Sequence, residues 1–305
     1  MNALATIRST PGLECYLERL EARLEAAVAS HPGLLAHVAA ESLAAGGKRL
    51  RPALTYLTVA ERYRDDDRCV SAGAAVELVH MASLVHDDML DKADLRRGQP
   101  TIWVAYGRET AKGVGDYLFA CAFAELARTR DMGSLQALAD ATLALVRGEA
   151  LQRRQAFDPD TEVEAYLLRA SLKTGKLFEA ACVLGGGVGL GAFGEALGIA
   201  FQITDDILDC TGDFDTTGKA AGVDLRDGTP TLPLILAARK DSAVACALAG
   251  QHIEDALERV ALTGALDESR VVARDYADRA RAALHGRPNI EPLEALAYAV
   301  VDREH

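Results

Sequence analysis

A chain of 305 residues, 50% hydrophobic and 26% charged, can bury a sizeable core and has the composition of an ordinary globular protein. Its 33 Lys and Arg against 45 Asp and Glu leave a net charge of -12, which disfavours a general nucleic-acid surface and an anionic membrane surface. Stable membrane insertion is not expected either, because no 18-residue apolar run is free of charge, and the first twenty residues lack the pattern of a leader.

Residues 13–29 (LECYLERLEARLEAAVA) place apolar side chains at helical spacing, and His31-Pro32-Gly33 ends that helix. A second helical pattern from about 34 is interrupted by AAGGKRLRP at 44–52, where Gly46 and Gly47 open the backbone beside Lys48, Arg49 and Arg51. Paired glycines let backbone and cations close around an anion, although a solvated basic turn gives the same pattern. The helical pattern resumes from Pro52 to Tyr63 and gives way to a polar loop, RDDDR at 64–68. A long apolar helix is expected from about Ser71 to Leu90, then helices over 104–128, 132–151 and 160–183. The glycine-rich tract 184–198 lacks the Lys-Ser/Thr ending of a nucleotide loop, so it reads as a helix break with close helix packing. A helix over 195–210, a polar loop over 211–231 and two or three amphipathic helices over 241–302 complete the chain. No run of alternating strands and no Pro- or Ser-rich linker appears. The sequence therefore predicts an all-α fold: one large helical bundle domain over 1–305, surrounding a central cavity. Six cysteines without paired spacing suggest neither a zinc knuckle nor a disulfide framework, and fit a reducing compartment such as the cytosol.

Two stretches carry the chemistry. LVHDDMLDKADLRRGQPT (84–101) and FQITDDILD (201–209) each hold three aspartates in a DDxxD pattern within an apolar, helix-compatible run. Asp87 and Asp91 fall one helical turn apart, as do Asp205 and Asp209, while Asp88 and Asp206 lie to the side. Like-charged pairs at this spacing destabilise an empty helix, and hard divalent cations compensate for them. Magnesium in particular favours carboxylate oxygens completed by water and substrate phosphate. Arg96 and Arg97 lie just beyond the first cluster, and an arginine fork suits phosphate oxygens. The plain alternative is a pair of solvated acidic helix faces.

GGKRLRP (46–52), HMASLVHDDMLDKADLRRGQPT (80–101), Gly115-Asp116, Gly148-Glu149, Lys173-Thr174, FQITDDILD (201–209) and GKAAGVDLRDGTPTLP (218–233) occur in one order across most of the chain. Together they resemble the trans-polyprenyl diphosphate synthases. The resemblance implies an all-α fold, usually a homodimer, that joins isopentenyl diphosphate to an allylic diphosphate head to tail with magnesium, three ions in the substrate complex. It assigns Asp87, Asp91 and Asp205 as metal ligands, with Asp209 close behind, and puts Arg96, Lys173 and Lys219 on the allylic diphosphate. Lys48, Arg51, His80 and Arg97 would hold isopentenyl diphosphate, and Thr174 and Gln202 would lie along the developing allylic cation. Taken alone, His80 on an apolar helical face reads as a core histidine. The family often has a lysine where this chain has Thr229, which removes one cation from the phosphate grip.

Carbon–oxygen heterolysis puts negative charge on the leaving diphosphate and positive charge on the allyl group, and this equipment is suited to both. No serine, cysteine or histidine nucleophile is required. A class I terpene cyclase would usually lack an intact second DDxxD, and His86-Asp87 alone is thin support for an HD-type phosphohydrolase. A heteromeric partner subunit stays open. Product length depends on the wall preceding Asp87, where Leu78, Ala82 and Ser83 are the relevant positions. Small Ala82 and Ser83 favour a product of C30 or longer over geranylgeranyl diphosphate (C20).

Overall fold

The computed structural model describes residues 7–211 and 222–302. Lys219 lies outside the described residues. The all-α expectation holds, and among the described residues the only strands form one two-residue hairpin. The chain divides into two compact units. The first comprises Arg8–Thr142 and Ala180–Gly191, and the second comprises Leu143–Glu179 and Ala192 onward, with Ile7.

In the first unit, α1 (Leu13–Ala29) buries Leu13, Tyr16, Leu20, Leu24 and Val28, the stripe expected from a helical period. α2 (Leu34–Ala44) follows, and α3 (Leu50–Thr58) begins after Arg49, whose left-handed backbone (φ 48) turns the chain. α3 is shorter than expected: it stops at Thr58, and a separate 3-10 turn covers Glu61–Tyr63. α4 (Asp67–Leu90) starts earlier than the apolar pattern suggested, because the Asp66 carboxylate caps it by accepting the Arg68 N–H at 2.9 Å. By length and composition α4 could cross a membrane, but 83% of its apolar window is buried within the protein, as befits a core helix.

β1 (Leu95–Arg96) and β2 (Gln99–Pro100) pair antiparallel across Arg97 and Gly98, which both have positive φ (53 and 75). That is the turn a two-residue hairpin requires. The single helix expected over 104–128 is two, α5 (Ile102–Tyr106) and α6 (Arg108–Ala127), parted at Gly107 (φ 84). α6 lies along α4, and the two pack closely at Gly115, where a Cβ would come within 2.2 Å of the His86 ring.

α7 (Met132–Gln155) supplies its later residues to the second unit. There the helix expected over 160–183 is interrupted. α8 (Val163–Ala170) passes into a π-helical turn at Ser171–Gly175 before α9 (Lys176–Gly186) begins. α10 (Gly191–Thr211) crosses that turn closely, since a Cβ on Gly198 would lie 2.8 Å from the Gly175 Cα. In the first unit, a Cβ on Gly185 would meet the Thr55 carbonyl at 2.3 Å. The glycine-rich tract is thus a place of close packing, as the sequence suggested.

The expected polar loop contains a short helix, α11 (Val223–Arg226). Then come α12 (Leu232–Ala238), α13 (Ser242–Leu248), α14 (Ala256–Leu262), α15 (Ala265–Ala282) and α16 (Glu291–Val301). These are four helices after 241, not two or three. A core of Tyr166, Ile199, Ile203, Ile207, Leu232, Leu234, Ile235 and Val260 fixes α10 and α12 in the second unit.

Candidate active site

Each aspartate motif occupies the last turns of a long helix, and the two units hold them by different means. In the first unit, Asp87 is half-buried and Asp91 is exposed, its N–H closing α4 on the Asp87 carbonyl at 2.8 Å. Asp88 is buried and takes the Arg96 fork: Nε lies 2.7–2.8 Å from both carboxylate oxygens and Nη2 lies 2.6 Å from Oδ1. Burial opposes the Arg96 charge, but Asp88, with Asp87 and Asp91 behind it, raises the guanidinium above its ordinary value. The expectation put Arg96 on a diphosphate. In the substrate-free structure these guanidinium nitrogens lie on Asp88.

Arg97, in the turn of that hairpin, reaches the Ala45 carbonyl at 3.4 Å, and a Cβ on Gly47 would lie 3.4 Å from its Nη2. The double-glycine turn and the hairpin therefore meet, as an anion pocket requires. Arg49 is the buried member of the basic run. Its Nε and Nη2 bind Glu21 at 2.7 and 3.1 Å, and its Nη1 binds Glu77 at 2.9 Å, so it braces α1, α3 and α4. Lys48 is exposed and Arg51 half-buried. A cavity of about 660 Å³ lies here, with Arg49, His80, Arg96 and Arg97 on one part of its wall and Val38, Met81, Leu84, Val85 and Ile102 on another. Burial, followed by the fields of Arg51, Arg96, Arg97 and Arg49, holds the His80 imidazole well below its ordinary pKa. It is neutral at pH 7. The α4 residues on this wall are Glu77, His80, Met81, Leu84, Val85 and Asp88. Leu78 and Ala82 are fully buried and Ser83 nearly so, on other sides of the helix.

In the second unit, the π turn carries Lys173 and Thr174. Such turns widen a helix locally and release main-chain carbonyls from the α ladder. Lys173 Nζ donates to Glu149 Oε2 at 2.7 Å and to Gln152 Oε1 at 3.1 Å, both on α7. Gly148 makes this possible, since a Cβ there would stand 2.7 Å from the Lys173 main-chain nitrogen. The Thr174 hydroxyl donates to Gln202 Oε1 at 2.6 Å, Gln202 Nε2 donates to Asp206 Oδ1 at 2.8 Å, and the Tyr166 hydroxyl donates to Asp206 Oδ2 at 2.6 Å. Burial pushes the Asp206 carboxyl up to about 7, against the pull of the Tyr166 and Gln202 hydrogen bonds.

Asp209 accepts main-chain N–H groups from Val223 (3.2 Å) and Asp224 (3.1 Å), one on each oxygen, and so anchors the start of α11. The sequence missed Arg169, which is buried against Tyr166 and donates to Gln155 Oε1 at 2.6 Å and the Pro230 carbonyl at 2.7 Å. It tethers the DGTPT segment, and Thr229 with it, to α7 and α8. Tyr166 and Arg169 stand one turn apart on α8, and nothing in their sequence context sets them apart from core residues.

Asp87 and Asp91 offer hard oxygen donors one turn apart at a helix end, a set that suits a magnesium-like ion completed by phosphate and water. Among the described residues no three His, Cys, Asp or Glu side chains converge as a ready-made cage.

An all-helical chain with two DDxxD helix ends and a Lys-Thr π turn has an isoprenoid-synthase-type fold. The chain belongs to the polyprenyl synthetase family, whose model matches residues 32–261. It is 39% identical to heptaprenyl diphosphate synthase component 2 of Geobacillus stearothermophilus over 95% of this chain and 96% of that protein. It is 34% identical to octaprenyl diphosphate synthase of Escherichia coli, over 85% of this chain and 87% of that one. A solved polyprenyl synthase from Caulobacter crescentus, complexed with calcium and isoprenyl diphosphate, superposes with a TM-score of 0.89 at 34% identity, covering 99% of this chain and 98% of that one. The chain is a prenyltransferase that elongates prenyl diphosphates. The names of other relatives run from geranylfarnesyl to nonaprenyl diphosphate synthase, so kinship establishes the reaction and leaves its length open.

Proposed function

We propose that this chain condenses isopentenyl diphosphate with an allylic diphosphate, head to tail and with magnesium, to a trans-polyprenyl diphosphate of C30 or longer. The observation that carries this reading is the completeness of both aspartate motifs, each with its middle carboxylate held by dedicated partners. Magnesium, held by Asp87, Asp91 and Asp205 with Asp209 beside them, would neutralise charge on the leaving diphosphate. Lys173, and Lys219 by the family resemblance, contribute fixed positive charge to the same group. Lys48, Arg51 and Arg97 hold isopentenyl diphosphate, and neutral His80 can hydrogen-bond to it without adding charge. Thr174 and Gln202 turn oxygen toward the allylic cation. The double bond of isopentenyl diphosphate attacks that cation, and the released diphosphate is the base for the last proton.

Small Ala82 and Ser83, one turn or so before Asp87, favour a long product, and the heptaprenyl and octaprenyl relatives agree with that direction. By the family resemblance the functional unit is a homodimer, with a second kind of subunit left open. The relative called component 2 motivates a direct test of the alternative. The purified chain is incubated with magnesium, isopentenyl diphosphate and each of the C10, C15 and C20 allylic primers, and products are resolved chromatographically. Products of C30 or longer are expected from the chain alone. A product ending at C20 or below would refute the length assignment, and activity only with an added subunit would refute the homodimer.

A further inference from the structure

The hydrogen bonds beneath the Lys-Thr turn have a direction, and that direction is set well away from the reacting atoms. With a hydroxyl and an amide N–H aimed at its two oxygens, Asp206 stands as an acceptor on both sides. The buried Asp206 takes the Tyr166 hydroxyl on one oxygen and the Gln202 amide nitrogen on the other. Gln202 is therefore oriented with Nε2 toward Asp206. The flipped amide would set two acceptor oxygens against each other in a buried site, at the cost of an unmet acceptor. With its nitrogen committed there, Gln202 presents Oε1 to Thr174, and that oxygen can only accept. The Thr174 hydroxyl, 2.6 Å away, must therefore donate its proton to it. The threonine oxygen then has only lone pairs left for its other neighbours.

We infer that Tyr166 and Asp206 are positioning residues that fix the sense of this relay, so that Thr174 offers electron pairs, and never its proton, to the allylic cation. The inference rests on the reading of this site as one that ionises an allylic diphosphate. An electron-rich oxygen stabilises a passing cation, whereas a hydroxyl proton aimed at it would repel it, so relay sense affects the transition state far more than either ground state. Tyr166 is suited to the task. It is wholly buried, it sits in the apolar core with Ile203 and Ile207, and the Arg169 guanidinium lies 5.4 Å from its ring.

Asp206→Asn tests this with almost no change of shape. The asparagine accepts the Tyr166 proton on its oxygen and donates its NH2 to Gln202, which turns Gln202 over and points the Thr174 hydroxyl outward. Single-turnover condensation is expected to slow on the order of 10- to 100-fold, with dissociation constants for both diphosphates within about twofold of wild type. In a Thr174→Val background, which has no hydroxyl to misdirect, the same substitution should change the rate by less than about threefold. Tyr166→Phe, run through the same cycle, provides a second route should Asp206→Asn fail to fold, with a smaller loss that again disappears beside Thr174→Val. A wild-type rate in Asp206→Asn, or an equal loss with and without the Thr174 hydroxyl, would overturn the relay. If the wild-type chain itself condenses nothing, the failure lies with the proposed function and not with the relay.

Discussion

Gly148→Ala adds one methyl group where the structure has no room for it. The new Cβ would stand 2.7 Å from the Lys173 nitrogen, 3.0 Å from its Cα and 3.1 Å from the Leu172 carbonyl carbon. All three are main-chain atoms, so no side chain can swing aside, and α7 must draw back from the π turn by several tenths of an ångström. Overpacking of this kind costs about 1–3 kcal/mol. Alanine recovers about 1 kcal/mol of helix propensity over glycine. The net loss of stability should therefore be modest, about 0–2 kcal/mol, and the fold should persist. Activity should suffer more. The Lys173 ammonium is aimed by Glu149 and Gln152, next to Gly148 on the helix that must move. Displacement of a positioned charge by about 1 Å costs on the order of 100-fold in rate, so a shift of several tenths should cost roughly 10-fold. The assay is kcat/KM for the allylic diphosphate at saturating magnesium, alongside a urea unfolding curve. An alanine variant with wild-type kcat/KM would refute the argument that Gly148 exists to admit the π turn.

Asp87→Ala or Asp205→Ala should each cost roughly 3 kcal/mol or more of transition-state stabilisation; near-normal turnover in magnesium would remove them from the metal site. Thr229→Lys adds a cation to the segment that Arg169 tethers and should tighten allylic diphosphate binding with little change in product length, read as a dissociation constant and not only as KM. The folded His80 imidazole refuses a proton that the unfolded chain accepts below about pH 6.5. Substrate-free stability should therefore fall as pH drops from about 7 to 5, by at most about 1.4 kcal/mol per unit from this group, and show no such slope above pH 7.5. His80→Gln should flatten the profile, and a difference between the two proteins that does not vary with pH would refute the assignment. Ala82→Phe, at a fully buried position on α4, should shorten the product by intruding on the chain's path; an active variant with an unchanged product distribution would show that Ala82 faces elsewhere.

The sequence made the helices legible where an apolar stripe met solvent, as in α1, and the motifs legible where chemistry forces an unusual pattern, as in two like-charged triplets. It misplaced boundaries wherever a single residue overrides the pattern. Asp66 lengthens α4 by capping it, Gly107 divides one helix into two, and the π turn at 171–175 cannot be read from hydrophobic spacing. The hairpin at 95–100 is too short to show alternation, and its Arg97-Gly98 turn was the one available sign. Tyr166 and Arg169 were invisible for a different reason. Their roles are set by what they touch from other helices, and a buried Tyr or Arg carries no local mark of its partner. Ala82 and Ser83 carry the chain-length expectation, yet the α4 side chains that line the described cavity include Met81, Leu84 and Val85, which sequence alone does not orient.

Both aspartate triplets sit at the end of a helix where the backbone field is least kind to them. The last carbonyls of α4 and α10 point toward Asp87–Asp91 and Asp205–Asp209, and each anionic side chain there works against stability by about 0.3–1 kcal/mol. In the first unit Arg96 is spent on Asp88. In the second, Tyr166 and Gln202 serve Asp206 while the start of α11 serves Asp209. In both motifs side chains bind the middle carboxylate into the protein, while the i,i+4 pair stands one turn apart at the helix end. Hard oxygen donors one turn apart suit a divalent cation that arrives with the substrate, and because the helix dipole opposes these carboxylates, removing Asp87 or Asp205 should cost turnover roughly 3 kcal/mol or more while leaving the helices intact.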